Sequence, residues 1–450
     1  MAKEDSMSNF RKLVITLCVL TMIMFPLVAA GQKEASKSDE VKLTFMGWGT
    51  DAEVATFQTM INDFEALYPN VKVEYIVVAD NEFDTKLQTM IGAGTPPDVF
   101  YCMIDNFMKY TATGNLLNIT KYVQETNIFS ANDVWNSAID LYRYDGKMLG
   151  NGDIYALPKD VSVFPIFYNV DLFKAAGVTP PTKDNPWDWN DYLAAAKKLT
   201  TGSGDSKIYG SGGYSLESAV WSNGAEFVDQ GTLSKVLVDS PEFAEALQWM
   251  SDLRLVHKVV PSIAESNSLN DYDRFKQGKL AMVGAGTWSL GDFWENCDFE
   301  FDVMNWPVSP RTGKSEIWFG SAGLAVSSQS KHPQEAFNLM SYLSLNENAQ
   351  RTAYKMGQAI PLSKKMALEE FGALDKGPTH KDVLWDILEN HTRVATQSKT
   401  FTQDWFAEFN RNVPAVFEGK ESAASFTKKI APALQKLLDE SIALSKEFAL

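Results

Sequence analysis

The chain has 450 residues, and its 57 acidic against 41 basic side chains give a formal net charge of −16. This acidic excess argues against nucleic acids and anionic lipid surfaces as partners, because both would be repelled. The length exceeds what one hydrophobic core usually supports, so we expect two lobes.

The first thirty residues have the pattern of a secretory signal peptide. Arg11 and Lys12 precede an apolar run over 13–25, and small residues end the segment before Gly31. That run is shorter than a membrane-spanning helix requires. We therefore predict a signal peptide at 1–30, a disordered tether at 31–40 and an exported, periplasmic or extracytoplasmic protein. Cys18 lies inside the apolar run, which leaves open whether the mature protein is tethered as a lipoprotein or free.

The segment that follows alternates strand and helix patterns. Strand-like alternation over 41–47 precedes helical spacing over 52–68, and the order repeats with a strand at 71–78, a helix at 83–91 and a short strand at 98–101. This order predicts a parallel sheet with helices on both faces, hence an α/β fold.

Further along, the segment 155–169 (YALPKDVSVFPIFYN) is a β-rich apolar run that ends in the polar pair Tyr168-Asn169. A polar tip after a strand is where α/β folds carry ligands. Strands are also predicted at 280–284, 298–305 and 321–327, and a long amphipathic helix over 423–448. No internal repeat is visible.

Catalytic motifs are missing from the sequence. No G-x-S-x-G nucleophile motif occurs, and the four histidines have no metal-ligand spacing, so we predict no catalytic residue, metal or cofactor. Asp105 and Asp160 are the candidates for a glycosidase carboxylate pair, which the sequence alone leaves open. Cys102 and Cys297 are more easily explained as two separate thiols than as a disulfide.

Aromatic residues are the positive signal, because several lie at predicted strand ends beside glycine or polar residues. Flat aromatic rings stack on the apolar C–H faces of sugars, while neighbouring carboxylates and amides hydrogen-bond to the hydroxyls. For any single ring, packing in the core explains the position as well as ligand contact does. The residues concerned are Trp48, Tyr101, Tyr168, Trp221, Trp288 and Trp318.

Ordered segments along the chain together resemble one family, the extracellular solute-binding proteins that feed ABC importers, in the sugar-binding, maltose-binding-protein-like branch. The resemblance covers about 41–448. The segments that carry it are VKLTFMGWG (41–49), YPNVKVE (68–74), KLQTMIGAGTPPDVFY (86–101), GNLLNIT (114–120), 155–178, PWDWNDYLAAAKKLT (186–200), FKQGKLAMVGAGTW (275–288), WFGSAGLAVSS (318–328) and IPLSK (360–364).

The resemblance implies a two-lobed periplasmic binding protein fold of type II with a central ligand cleft. The N-terminal lobe would comprise 41–156 plus 310–358, and the C-terminal lobe 157–309 plus 359–450. Three chain crossings are expected near 155–158, 307–317 and 356–361. Such lobes close on a solute about a hinge, and the closed form is the one a transporter recognises.

The same resemblance implies the ligand-binding residues. Trp288 matches the stacking aromatic of the family, Asp160 follows the first crossing, and backbone amides near Gly320 would reach the solute. The expected site comprises Trp48, Asp51, Tyr101, Asp105, Asp160, Tyr168, Trp221, Trp288, Trp318 and Gly320.

The function implied is that of a monomeric receptor that captures a mono- or oligosaccharide and delivers it to an ABC transporter permease. One alternative keeps the fold but changes the cargo to a polyamine or another small polar solute, since Asp51, Asp80, Asp105 and Asp160 would suit a cation. A phosphate ester would need cations at the site, and only Lys159 is placed for one. A secreted sugar-acting enzyme is the remaining alternative.

Overall fold

The computed structural model describes residues 40–129, 134–358 and 360–448. The predicted signal peptide and all but the last residue of the predicted tether lie outside these ranges, so both stay predictions. No helix within the described ranges has the length and apolar character needed to cross a membrane.

The strands and helices alternate in the first third of the chain and become mostly helical towards the end. The strands are β1 Val41–Gly47, β2 Val71–Val77, β3 Val99–Met103, β4 Arg143–Tyr144, β5 Asp153–Ile154, β6 Ala156–Pro158, β7 Ser162–Val163, β8 Ile166–Asn169, β9 Met282–Gly284, β10 Phe301–Met304, β11 Ile317–Gly320, β12 Ala322–Val326 and β13 Thr392–Val394. The helices are α1 Asp51–Leu67, α2 Asp80–Gly92, α3 Ile104–Ala112, α4 Thr120–Thr126, α5 Asn136–Asp140, α6 Val170–Ala176, α7 Trp189–Leu199, α8 Leu216–Ser222, α9 Pro241–Leu255, α10 Ile263–Ser268, α11 Asp271–Lys276, α12 Leu290–Asn296, α13 Pro333–Leu345, α14 Glu347–Lys355, α15 Asp382–Asn390, α16 Asp404–Asn412, α17 Pro414–Phe417 and α18 Ala423–Glu447.

The first lobe is built on a five-stranded sheet of order β2-β1-β3-β12-β6. Its first three strands are parallel, as predicted, and β12 runs antiparallel to both β3 and β6. Helix α1 covers this sheet with a stripe at helical spacing, of which Phe57, Ile61 and Phe64 are buried. The Thr50 hydroxyl accepts a hydrogen bond from the Glu53 backbone N–H and so caps the start of α1.

The second lobe holds two three-stranded sheets, β10-β8-β9 and β13-β11-β7, together with most of the later helices. Helix α18 packs on α9 and α16 and closes a separate core of aromatic and aliphatic side chains. The long amphipathic helix predicted for 423–448 is therefore confirmed, and the two-lobed α/β architecture is the one expected.

The chain passes between the lobes where strands of different sheets follow one another. Lys159, Asp160 and Val161 join β6 of the first lobe to β7 of the second, and Ser321 alone joins β11 to β12. Ile360 lies beside the first of these crossings, since its backbone carbonyl accepts a hydrogen bond of 3.3 Å from the Val161 N–H.

The contacts of residues 309–320 differ from those expected for the predicted second crossing at 307–317 and the predicted lobe boundary at 310. Strand β11 pairs with β7 and β13 of the second lobe, and the loop before it is tied to helix α8 of the same lobe. The Ser309 hydroxyl donates to Asn223 over 2.7 Å, and the Glu316 N–H donates to the Ser222 hydroxyl over 2.9 Å. Residues 310–320 therefore belong to the second lobe, and the crossing lies at Ser321.

Candidate functional site

Four aromatic side chains of the second lobe form one contiguous set, which we call the aromatic group: Phe164, Trp288, Trp306 and Trp318. The Phe164 ring stacks on Trp306 at 6.0 Å and lies 6.2 Å from Trp288. Trp318 stands perpendicular to both Phe164 and Trp288, at 6.5 and 5.9 Å between ring centroids. Trp288 keeps 40% of its surface exposed, so this group presents an indole to solvent.

Glycines hold the two outer rings of the aromatic group in place. A methyl group built on Gly286 would overlap the six-membered ring of Trp288, and one built on Gly320 would overlap the ring of Trp318. Each indole thus lies directly against backbone that carries no side chain. Gly320 packs against the Trp318 ring, and its predicted backbone contact to solute stays a prediction.

Buried polar atoms without partners lie next to the aromatic group. Trp221 Nε1, Glu226 Oε2 and Thr287 Oγ1 have no hydrogen-bond partner among the described residues. Arg393 pairs in register with Trp318, lies 5.0 Å over the Trp221 ring, and places Nη2 2.5 Å from Glu226 Oε1. A buried polar atom left unpaired costs roughly 1–3 kcal/mol, which makes these atoms candidates for hydrogen bonds to a solute.

The first lobe contributes a smaller aromatic cluster at the ends of β1 and β3. Trp48 contacts the edges of Phe83 and Tyr101 at 4.6 and 4.7 Å, and remains half-buried. Tyr101 is 1% exposed, and burial raises the pKa of its hydroxyl well above its usual value. Buried Tyr101 therefore packs against the half-buried Trp48. Asp51, the first residue of α1, is exposed.

Asp105 lies where the two lobes touch. Its carboxylate accepts a hydrogen bond from the Ser398 hydroxyl, and its backbone carbonyl accepts one of 2.8 Å from Gln403 Nε2. Burial raises the pKa of Asp105. Burial also raises the pKa of Glu217 on helix α8, and the charge of Asp105 adds to that rise. The two carboxyl groups therefore lie close enough for their charges to interact.

Asp160 belongs to the first crossing, and its carboxylate has three partners within the protein. Its carboxylate accepts hydrogen bonds from the hydroxyls of Ser162 and Ser321 at 3.2 and 3.1 Å and pairs with Lys159 at 3.3 Å. Burial raises the pKa of Asp160, although the charge of Lys159 acts in the opposite direction. The carboxylate therefore stabilises the crossing, and its predicted role as an acceptor for solute is not supported by these contacts.

Tyr168 lies in the core of the second lobe and not with the aromatic group. It is 4% exposed, its ring packs on Phe173 at 4.5 Å, and it pairs in register with Asp302 of β10. Burial raises the pKa of its hydroxyl above the usual range. The polar tip of this strand is instead Asn169, whose side chain accepts from the Leu172 N–H and caps helix α6.

The structure thus brings Trp221, Trp288, Trp318 and Gly320 together on the second lobe, with Trp48 and Tyr101 clustered on the first. Phe164 and Trp306 were missed by the sequence reasoning. Phe164 lies in the segment 155–169 but was counted with the apolar run.

Metal binding and disulfide formation have no support among the described residues. No cluster of three or more histidine, cysteine or carboxylate side chains occurs within 40–129, 134–358 and 360–448. Cys102 and Cys297 are both free, as predicted, and burial raises the pKa of both thiols.

The chain is similar in sequence and fold to proteins of known class. The model of the bacterial extracellular solute-binding protein family matches residues 48–350. The chain belongs to this family. Its members are solute-binding receptors that act outside the cytoplasm.

Relatives of this solute-binding protein include the arabinooligosaccharide-binding protein of Bacillus subtilis (strain 168), which is 23% identical over 77% of this chain and 80% of that protein. An ABC substrate-binding protein from Listeria monocytogenes, solved in complex with cycloalternan, is 26% identical. It covers 89% of this chain and 100% of its own, with a TM-score of 0.78. A solute-binding protein from Thermotoga lettingae bound to α-D-tagatose is 22% identical over 88% of this chain and 100% of its own, with a TM-score of 0.74, and shares the fold.

Proposed function

We propose that this solute-binding protein captures a carbohydrate between its lobes and delivers it to the permease of an ABC importer. The observation that carries the proposal is the exposed Trp288 indole, held flat over Gly286 and perpendicular to Trp318. Two apolar ring faces at right angles suit the C–H surface of sugar rings. The unpaired atoms of Trp221, Glu226 and Thr287 supply donors and an acceptor for hydroxyls.

The names of the relatives support a sugar as the cargo. The Bacillus relative is named for arabino-oligosaccharides, and the Listeria structure holds the cyclic saccharide cycloalternan. Both proteins match this chain over more than three quarters of its length.

A polyamine is the less favoured cargo because the charges around the aromatic group do not suit a cation. Arg393 lies over Trp221, and Lys399 Nζ donates to Gln230 over 2.8 Å, so two cations border this region. Of the carboxylates that favoured a cationic solute, Asp160 is neutralised by Lys159 and Asp51 is exposed at the start of α1.

We also propose that the protein binds its solute without transforming it. Of the candidate glycosidase pair, Asp160 is ion-paired inside the first crossing, while Asp105 is held by Ser398 at the lobe contact. Neither carboxylate belongs to the aromatic group. Chromatography of an oligosaccharide incubated with the protein should therefore recover it intact, and released sugar would contradict this part of the proposal.

A thermal-shift screen tests the cargo. A ligand that binds only the folded protein adds RT ln(1 + [L]/Kd), about 2.7 kcal/mol at one hundred times Kd. Arabino-, malto- and manno-oligosaccharides with their monosaccharides form the panel, and we expect at least one to raise the melting temperature. Spermidine and putrescine are included as cationic ligands. If these amines raise the melting temperature and no sugar does, the carbohydrate proposal is overturned.

A further inference from the structure

A second cavity, of about 610 Å³, lies in the second lobe away from the aromatic group. We call it the lateral cavity. Its polar and aromatic lining comprises Lys207, Tyr209, Arg254, Lys258, Glu265 and Phe417. The volume falls in the range of about 300–1,000 Å³ that is usual for small-molecule sites.

None of the four residues of the aromatic group lines the lateral cavity. Tyr209 pairs in parallel with Leu280, and Gly212 pairs in the same sense with Val283. The chain then continues from β9 to Trp288. Tyr209 lines the lateral cavity, whereas Tyr214, five positions later in the chain, contacts Trp306 of the aromatic group at 4.2 Å between ring centroids.

The cations of the lateral cavity are available, whereas its carboxylates are engaged. Glu265 accepts hydrogen bonds from the Tyr209 hydroxyl at 2.6 Å and from the Ser262 hydroxyl and N–H at 2.6 and 2.8 Å. These bonds lower the pKa of Glu265 to about 2. The other lining carboxylate, Glu418, forms a salt bridge in which its Oε2 lies 2.5 Å from Lys420 Nζ.

Two of the lining cations lie over aromatic rings. Lys207 Nζ is 5.2 Å from the centroid of the Tyr209 ring, and the Arg254 guanidinium is 5.5 Å from that of Phe417. Arg254 Nε donates to the Pro261 carbonyl over 2.7 Å. Neither Lys207 nor Lys258 forms a salt bridge within the described parts of the chain.

A fourth cation, Arg274, also lies near the Tyr209 ring. The Arg274 guanidinium lies 5.6 Å from that ring, and Arg274 is 8% exposed. A chain of net charge −16 therefore gathers four cations around one cavity. The lining also contains the polar residues Ser262, Asn267 and Glu418 and the apolar residues Leu255, Val260, Ile263 and Ala264.

We propose that the lateral cavity binds a small organic anion, a carboxylate or phosphate ester carried on an apolar or ring-shaped body. The free ammonium groups of Lys207 and Lys258 hold the anionic group, and the apolar lining with Phe417 holds the body. This site is independent of the sugar cargo, so failure of either proposal leaves the other standing.

Isothermal titration of the full chain with phenyl phosphate and with benzoate tests the lateral cavity and separates the two anion types. Two matched probes serve as controls: phenol has the ring but lacks the anionic group, and inorganic phosphate is an anion that lacks the ring. We expect saturable binding of at least one organic anion, at least tenfold tighter than either matched probe and weaker at high salt.

The variant Lys207→Gln/Lys258→Gln should weaken this binding at least tenfold. Lys197→Gln/Lys198→Gln, which removes two exposed lysines of helix α7, is the control for net charge and should bind as the parent does. Trp288→Ala is the control for binding in the aromatic group and should also leave the anion affinity unchanged.

Three results would overturn the proposal: no saturable binding of either anion, equal losses in the two lysine double variants, or a loss confined to Trp288→Ala.

Discussion

The Nζ atom of Lys159 lies 2.6 Å from Oε1 of Glu53, so that an ion pair joins the first crossing to helix α1. Asp160 Oδ2 lies 3.3 Å from the same nitrogen, and the side chains of all three residues are at most 15% exposed. Burial opposes the ammonium charge, but the two carboxylates outweigh it and raise the pKa of Lys159 above its usual range. The hinge between the lobes therefore contains a buried, charged triad.

Lys159→Met should lower the free energy of unfolding by about 3–5 kcal/mol, because it leaves two buried carboxylates without a counter-charge. Urea unfolding at pH 7 measures the change. Lys42→Met is the control, since Lys42 pairs with Glu40 at 3.8 Å and its side chain is 80% exposed. The control should change the free energy by about 0.5 kcal/mol or less. Equal effects of the two substitutions would show that the triad does not stabilise the crossing.

Trp288→Ala and Trp318→Ala should each reduce the affinity for the sugar found in the thermal-shift screen by roughly 10- to 200-fold. Truncating an aromatic anchor at the centre of a binding surface commonly costs about 1.4–3 kcal/mol. Titration calorimetry measures the affinity, and circular dichroism checks that the variants are folded.

Trp385→Ala is the matched control for these two variants. Trp385 is also half-buried, but its ring contacts Phe371 at 6.0 Å and not the aromatic group. Its removal should leave the sugar affinity within about twofold. If Trp385→Ala weakens binding as strongly as Trp288→Ala, the losses reflect general destabilisation and not contact with the solute.

Gly286→Ala should weaken sugar binding without changing any residue that the sugar contacts through its side chain. The added methyl group would overlap the Trp288 ring, so the indole must leave its position. Gly92→Ala is the control, because a methyl group there meets no atom within 4 Å. We expect it to preserve affinity and to raise stability by about 0.4–1 kcal/mol. Parent-like affinity in Gly286→Ala would mean that the indole orientation does not matter.

The elements of the first lobe could be predicted because their signals are local. Strand β1 ends at the predicted residue, Gly47, and α1 begins at Asp51, one residue before the predicted start. The second crossing could not be predicted in this way. Its position depends on pairing of β11 with β7 and β13, and each of those strands lies more than seventy residues away along the chain.

In the candidate site, too, some residues have a local sequence signal and others depend on contacts between distant parts of the chain. Trp288 stood out because glycine and threonine precede it, and the structure leaves this indole exposed. The pair of Arg393 with Glu226 spans 167 positions and carries no local signal. The sequence predicts that Asp160 follows the first crossing, but its hydrogen-bond partner Ser321, 161 positions away, is visible only once the sheets are assembled.

Asp105→Asn should change how stability depends on pH. Burial raises the pKa of Asp105 above the value of 3.8 that we take for the unfolded chain. Between these two pKa values the folded state binds more protons than the unfolded state, so this carboxyl group makes the protein less stable as the pH rises. The cost is absent below about pH 3.8 and complete once the pH exceeds the folded pKa.

The side-chain amide introduced by Asp105→Asn would keep an oxygen that accepts from Ser398, and the backbone contact with Gln403 would remain. The free energy of unfolding of Asp105→Asn relative to the parent should therefore increase from pH 4 to pH 7, as measured by urea unfolding at several pH values. Asp51→Asn, which removes an exposed carboxylate, is the control for the change in net charge. A pH-independent difference for Asp105→Asn would mean that the folded and unfolded states hold this proton equally well, and that the lobe contact carries no electrostatic cost.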